Sequence, residues 1–438
     1  MSIKIALLIY GTVALITLIS YIPKIRQFFY MNTRIEHKIA KEKRKLSLVI
    51  PARDESGVIG NLFKSILIQT YPKEFYDITV IVKDENDPTV EMAQKCGAEV
   101  LVVPEQKCKG DALDGYFKSL KEDKLEAYAA FVIVDADALL TPDYLEELNN
   151  ALEYDCQIFL SRKFIKNFLG GRKQRSIYSK CSALTYAQID DLANIYRTHK
   201  AIPMNMCGQG MMLRSDVVKL LGGWPYRTLT EDYELRMDCF LKGFTSMYYP
   251  YAVIYTEEPL YRKDDYARRV RWLTGFSQCD RKYKKEIKKK AKAYGAVTEG
   301  EREYFYSLIP LLTFIAITIA AMLAGVGLAV FYVLSKSKLW IDSLLLLILL
   351  PFGIAYLLLL IYAALCLIAM RDAFGKIPLL EKAATALFAP FYLLEYFPIF
   401  VKSRIKARGE QDWVPVGRIC YGSLTEEDLI KTQSQPKQ

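Results

Sequence analysis

The chain has 438 residues and a formal net charge of +10, from 59 lysines and arginines against 49 acids. Nine cysteines form no Cys-x-x-Cys pair and the only histidines are His37 and His199, which sets aside a zinc site, a disulfide framework, a histidine-rich metal centre and a Ser-His-Asp triad. Chemistry therefore has to run on carboxylates, and the basic excess clusters beside long apolar runs, where anionic lipid explains it more simply than nucleic acid does.

No charge lies between residues 5 and 23, so residues 1–24 are expected to form a first transmembrane helix. The run lacks a small-residue cleavage site and reads as an anchor rather than a cleaved signal peptide. Lys24, Arg26, Arg34, Lys38, Lys41, Lys43, Arg44 and Lys45 follow it. A Lys/Arg excess beside a span marks the cytoplasmic side, which puts the N-terminus outside and the polar region from about 46 to 300 in the cytosol.

Within residues 45–260, short β-branched runs at 46–50, 78–83, 99–103 and 131–134 alternate with helical spacing at 57–69, 88–95 and 111–120. That alternation predicts parallel βαβ units and an α/β sheet covered on both faces, with ligands beyond the carboxyl ends of the strands. A longer helical stretch at 174–197 and shorter strands follow. Residues 261–300 are basic and aromatic: Arg281, Lys282, Lys284, Lys285, Lys288, Lys289, Lys290 and Lys292 face the lone acid Glu286. They read as helices at the membrane surface, with a solvated charged face as the alternative. Residues 303–335 and 339–371 are expected to span the membrane. The apolar stretch 378–401 is interrupted by Glu381, Lys382 and Glu395 and reads as interfacial or re-entrant, a fourth span being the alternative. Residues 402–438 form a cytosolic tail, basic at first and polar and disordered from 425.

Three segments carry candidate chemistry. The apolar run Val132-Ile133-Val134 leads straight into Asp135-Ala136-Asp137, and Thr141-Pro142 then opens a helix. Two carboxylates at a strand's carboxyl end suit a hard divalent ion, Mg²⁺ or Mn²⁺, whose other positions go to phosphates and water; a solvated Asx turn is the plain alternative. Thr230-Glu231-Asp232 opens an amphipathic helix, where acids by themselves do no more than complement the helix dipole. Arg268-Arg269-Val270-Arg271-Trp272 joins guanidinium groups able to clamp a diphosphate to an indole able to seat a sugar ring; an Arg/Trp belt at a membrane surface reads equally well.

In order and spacing, these segments resemble the membrane-bound members of glycosyltransferase family 2, the group containing cellulose, chitin, hyaluronan and poly-N-acetylglucosamine synthases. The resemblance covers about residues 45–280. It begins at Val49-Ile50-Pro51-Ala52-Arg53-Asp54-Glu55 and continues through Gln69-Thr70-Tyr71-Pro72, Asp84 and Lys109-Gly110-Asp111-Ala112-Leu113. It then takes in Asp135/Asp137, Thr230-Glu231-Asp232 and Arg271-Trp272. Two positions depart from the family: Lys83 stands where many members have a first aspartate, and Arg268 replaces the glutamine of the Gln-x-x-Arg-Trp motif linked to processive synthases.

The resemblance implies a GT-A fold, Rossmann-like with a mostly parallel sheet, as a cytosolic domain joined to transmembrane helices at the plasma membrane. It implies an inverting enzyme using a UDP-sugar donor and Mg²⁺ or Mn²⁺. Asp232 would be the base and Asp135 and Asp137 the metal ligands. Arg53, Glu55, Asp84, Lys109, Arg268 and Arg271 would bind the donor; Trp272, Gly208, Gln209 and Glu231 fall on the acceptor side. The expected product is a growing β-linked cell-surface polysaccharide built from a hexose or N-acetylhexosamine. Transfer of a single sugar to a lipid-linked acceptor is the nearest alternative, and a homo-oligomer is compatible with either. A non-catalytic membrane scaffold or transporter subunit is the alternative of another class, and the absence of ionisable residues within the three clear apolar runs speaks against transport.

Overall fold

The computed structural model describes residues 3–20, 22–293 and 309–409. The polar tail expected from 425, the end of the basic segment (294–300) and the first residues of the next apolar segment (303–308) lie outside the described residues. Strands β1 (Leu46–Pro51), β2 (Tyr76–Val82), β3 (Glu99–Val102), β4 (Ala130–Ile133), β5 (Leu139–Leu140), β6 (Ile158–Ile165), β7 (Met211–Arg214) and β8 (Ser246–Thr256) form one sheet in the order β3-β2-β1-β4-β7-β6-β8-β5.

The four expected strands pair with one another in parallel, β3-β2-β1-β4. Their sequences explain this: β1 and β4 are near-continuous apolar runs, buried along their length, as strands covered on both faces must be. The other half of the sheet is mixed. β7 runs antiparallel to both β4 and β6, β6 and β8 run parallel, and β5 closes the edge antiparallel to β8. The whole is a GT-A fold.

This topology gathers the motif loops. Val49 of β1 lies opposite Ile133 of β4, so the loops after both strands leave the sheet side by side. β7 enters antiparallel, with Met211 opposite Ile133, so the loop before β7 arrives at that same edge. Gly210 makes the junction possible. Its φ is +67°, and a Cβ there would lie 2.9 Å from Ser161 Cβ and 3.0 Å from Ile254, a conformation and a closeness that only glycine accepts without strain.

Among the described residues, three helices are long and apolar enough to cross a membrane: Phe314–Leu334, Leu339–Ala369 and Leu379–Lys406. The N-terminal helix Ile3–Ser20 is shorter, and it packs through Tyr10 and Ala14 against Phe314 and Ala355. The segment expected to be interfacial falls in the third long stretch, as helices Leu379–Leu394 and Tyr396–Lys406 with Pro390 inside the first. It is bound to the polar domain by charge: Glu381 accepts from Arg175 Nε at 3.1 Å and Lys180 Nζ at 2.8 Å.

The basic segment forms one helix, Arg262–Ala293. Part of its charge serves the protein rather than a surface. Arg281 donates to the carbonyls of Ala407 (2.7 Å) and Arg404 (2.9 Å), satisfying acceptors at a helix end. Lys282 pairs with Glu234 at 2.5 Å, and Lys290 donates to the carbonyls of Phe240 and Leu241. Lys284, Lys285 and Lys289 stay exposed.

Candidate active site

A cavity of about 790 Å³ opens at the carboxyl ends of β1 and β4. Of the residues singled out from the sequence, Arg53 and Glu55 line it from the loop after β1, and Asp135 and Asp137 from the loop after β4. Lys109, Gly208, Gln209, Glu231, Asp232, Arg268, Arg271 and Trp272 complete that set. Asp84 is not among the lining residues. It is exposed at the end of β2, where it accepts from the backbone N–H (2.8 Å) and side-chain amide (2.9 Å) of Asn86. Gln106 lines the cavity near that strand instead, its amide held by the Val82 carbonyl at 2.9 Å.

Lys109 begins the helix Lys109–Ser119, whose start is fixed by Asp111 accepting from the Cys108 N–H at 3.0 Å. Behind it, Gly110 packs against the turn at 224–227. A Cβ on Gly110 would sit 2.0 Å from the Tyr226 carbonyl oxygen, and backbone cannot yield as a side chain can. Gly110→Ala is therefore expected to cost about 1–3 kcal/mol through overpacking and to displace Lys109. Thermal unfolding of the purified variant, with activity measured beside it, checks this.

The Lys109 ammonium donates to Asp135 Oδ1 at 2.5 Å and to the Gly208 carbonyl at 3.1 Å, and lies 3.6 Å from Glu231. Burial works to neutralise it, but Asp135 and then Glu231 outweigh that, and its pKa ends above the ordinary lysine range. Glu231 is also displaced upward, above the range of a free carboxylate. Burial pushes it up to about 7, with Lys109 opposing and the Asp232 charge adding to the rise. Asp232 is held at both oxygens: Oδ1 accepts from the Tyr233 N–H at 2.7 Å and Oδ2 from the Gly208 N–H. The loop expected on the acceptor side thus fixes these carboxylates. Gly208 binds Asp232 and Lys109 through its backbone, and Gln209 donates to Asp137 Oδ1 at 3.3 Å.

Arg268 lines the cavity and is also engaged by protein partners. It donates to Glu258 Oε1 (3.1 Å) and Ser182 Oγ (2.7 Å), and its guanidinium lies 4.6 Å from the centre of the Trp272 ring. Residues the motifs did not mark also line the cavity, among them Lys163, Tyr233, Arg236 and Glu257. Lys163 is buried with Asp190 at 3.3 Å. Its signal in the sequence is a basic pair, Arg162-Lys163, inside an otherwise apolar strand, since a charge there needs a buried partner.

The profile described as glycosyl transferase family group 2 matches residues 130–370, more than half of the chain. The chain belongs to that family. Among curated relatives of this glycosyltransferase is the probable glycosyltransferase YdaM of Bacillus subtilis, 24% identical over 54% of this chain and 56% of its own length. Another is a poly-β-1,6-N-acetyl-D-glucosamine synthase of Staphylococcus aureus, 23% identical over 57% of this chain and 60% of its own. The glycosyltransferase therefore spans under two thirds of the length of these relatives. A solved structure of a mannosyltransferase from Pyrobaculum calidifontis, in complex with GDP-mannose and Mn²⁺, shares the fold. Its TM-score is 0.52 at 16% identity, covering 81% of this chain and 99% of that one.

Proposed function

We propose that this glycosyltransferase moves a hexose or N-acetylhexosamine from a UDP-sugar to a hydroxyl of a growing β-linked cell-surface polysaccharide, by metal-dependent inverting displacement at the cytoplasmic face of the plasma membrane. The observation that carries the reading is the meeting of Asp232, Asp135, Asp137 and Lys109 in one cavity. The relative named as a poly-N-acetylglucosamine synthase supports the polymer and the sugar class.

Asp232 accepts the proton of the attacking hydroxyl. Its two backbone bonds hold the carboxylate in one orientation, which a base acting in line requires. A single base and a direct displacement invert the anomeric centre. Arg271 adds a cationic contact for the departing diphosphate, while Arg53 and Glu55 face the nucleoside. Asp84 would reach the base from outside the cavity lining.

Asp135 and Asp137 fit a divalent ion. They are hard oxygen donors one residue apart, both lining the cavity, the donor type such ions prefer. Mg²⁺ or Mn²⁺ bound by them supplies charge neutralisation to the leaving group. Purified protein in lipid nanodiscs, given a panel of UDP-sugars with Mg²⁺, Mn²⁺ or chelator, tests the whole reading. Metal-dependent UDP release from one donor is expected; no release from any donor with any acceptor would remove the proposal.

Glu231 gives the reaction a pH signature. As pH falls through about 7 the carboxyl becomes neutral, removing a negative charge beside Asp232 and weakening it as a proton acceptor. The rate should fall several-fold across that window. Glu231→Gln holds the neutral form, so its pH–rate profile should lose that limb and sit low throughout. Stability moves in the other sense. A folded pKa raised from 4.5 favours the fold fully below pH 4.5, and this contribution is lost as pH rises through about 7; the glutamine variant keeps it.

A further inference from the structure

Charges buried around the site come with partners. Lys109 has Asp135, Lys163 has Asp190 at 3.3 Å, and Arg268 has Glu258. Arg236 differs. It lines the cavity and is only 6% exposed. Among the described residues no carboxylate pairs with its guanidinium and no acceptor takes its hydrogens; it lies 5.3 Å from the centre of the Tyr233 ring. The acids nearest to it along the helix are engaged elsewhere, Glu234 by Lys282 and Tyr283, and Asp238 by Tyr226 and Lys242.

A guanidinium taken out of bulk water without a counter-charge is costly, which makes Arg236 a site for an anion that a ligand brings. Its position says which ligand. Arg236 stands four residues after Asp232 on the helix Glu231–Lys242, one turn further along the same face. Lys109 and Asp135 meet that helix where it begins, with Lys109 3.6 Å from Glu231. The charges of Lys163, Asp232 and Arg236 all bear on Cys207, whereas those bearing on Lys109 are Asp135, Glu231 and Asp232. Asp232 thus stands between Asp135 and Arg236. In a direct displacement the attacking hydroxyl approaches opposite the departing diphosphate, and that is the side of Arg236.

We propose that Arg236 binds an acidic group of the acceptor: the growing polysaccharide carries, at its reacting end, a carboxylate or phosphate that pairs with this guanidinium while the sugar hydroxyl faces Asp232. The planar fork of arginine suits either oxyanion. The proposal rests on the transferase reading of the site and names the chemistry of its acceptor. The sugar moved is itself neutral, so a separate reaction has to install the acid before this transfer.

The test uses the full chain in nanodiscs with β-linked glucose tetrasaccharides whose non-reducing terminal sugar carries a hydroxyl, a carboxylate or a phosphate at C6. With the donor that the UDP-sugar panel identifies, the acceptor KM of one acidic form should lie about ten- to hundredfold below that of the neutral form. Which acidic form it is tells carboxylate from phosphate. Arg236→Met should remove that advantage and Arg236→Lys should keep part of it, with the donor KM holding in both. No buried acid loses a partner in the methionine variant, so it should melt no lower than the wild type. Calorimetric titration without donor repeats the comparison without turnover. Equal KM and equal binding for neutral and acidic forms overturn the proposal, as does a preference that survives Arg236→Met. A rise confined to the donor KM hands Arg236 to the diphosphate and overturns it too. Selective binding of an acidic form, abolished by Arg236→Met, without UDP release from any donor leaves the anion site standing and removes the transferase reading instead.

Discussion

Replacing Asp232 by asparagine should lower turnover by about 10²–10⁴-fold, the usual contribution of a positioned general base. The geometry makes this a clean measurement. Asparagine has the same shape, and its one carbonyl oxygen can still accept from either the Tyr233 or the Gly208 N–H, the two donors that hold the aspartate. The amide NH2 then faces the other backbone N–H, donor against donor, at a cost of about 1–3 kcal/mol, still too little to unfold the domain. Donor affinity and melting temperature should therefore stay close to wild type while kcat collapses. A comparable fall in donor affinity would mean that Asp232 positions the diphosphate, and the role of base would pass to another carboxylate in the cavity.

Arg269→Met should be the most damaging substitution for stability. The Arg269 side chain is 0% exposed, yet it is charged, and everything around it is arranged to answer that charge. It donates to Asp265 at 2.8 Å, to Glu395 at 2.5 Å and to the Tyr392 carbonyl at 3.3 Å. Its guanidinium also lies 4.1 Å from the centre of the Tyr392 ring. Burial already pushes the Asp265 carboxyl upward against the pull of Arg269 and then Arg268. Methionine fills the volume but leaves a buried acid short of its main partner, a loss of about 3–5 kcal/mol. Thermal unfolding in detergent should show a drop of several degrees, and adding Asp265→Asn should return part of it. Full recovery by a lysine at position 269 would contradict this account, because an ammonium cannot serve Asp265 and Glu395 in the same planar fork.

The parallel half of the sheet was legible in the sequence because β1, β2 and β4 are mostly apolar, β-branched runs separated by helical periodicity. The mixed half was not. Where β7 inserts depends on pairing Met211 with Ile133, some eighty residues away, and nothing local in Met211–Arg214 states its direction. The site divides the same way. Asp135, Asp137 and Asp232 could be found because each stands at a boundary between regular elements, where the topology places ligands. Asp84 obeys the same rule of position and still falls outside the cavity lining, since the rule reports the edge of the sheet and not the course of the loop. Arg268 shows what a local pattern leaves out. Its protein partners Glu258 and Ser182 lie ten and eighty-six residues away, beyond the reach of any motif.

The helix Arg262–Ala293 has a mechanical consequence. It is unbroken over 32 residues. Near one end it presents Arg268, Arg271 and Trp272 to the cavity. Further along, Lys282 and Tyr283 grip Glu234, on the same helix as Asp232. On another side it is bolted to Tyr396–Lys406, where Ser403 donates to the Val270 carbonyl at 3.2 Å and Arg281 caps the end. A stiff rod clamped at these two places moves as one body, so a tilt imposed on the apolar helices by a thicker or thinner bilayer should reach Asp232 and its neighbours as a displacement. The rate of sugar transfer should then follow the acyl-chain length of the membrane around the enzyme, with substrates and pH unchanged.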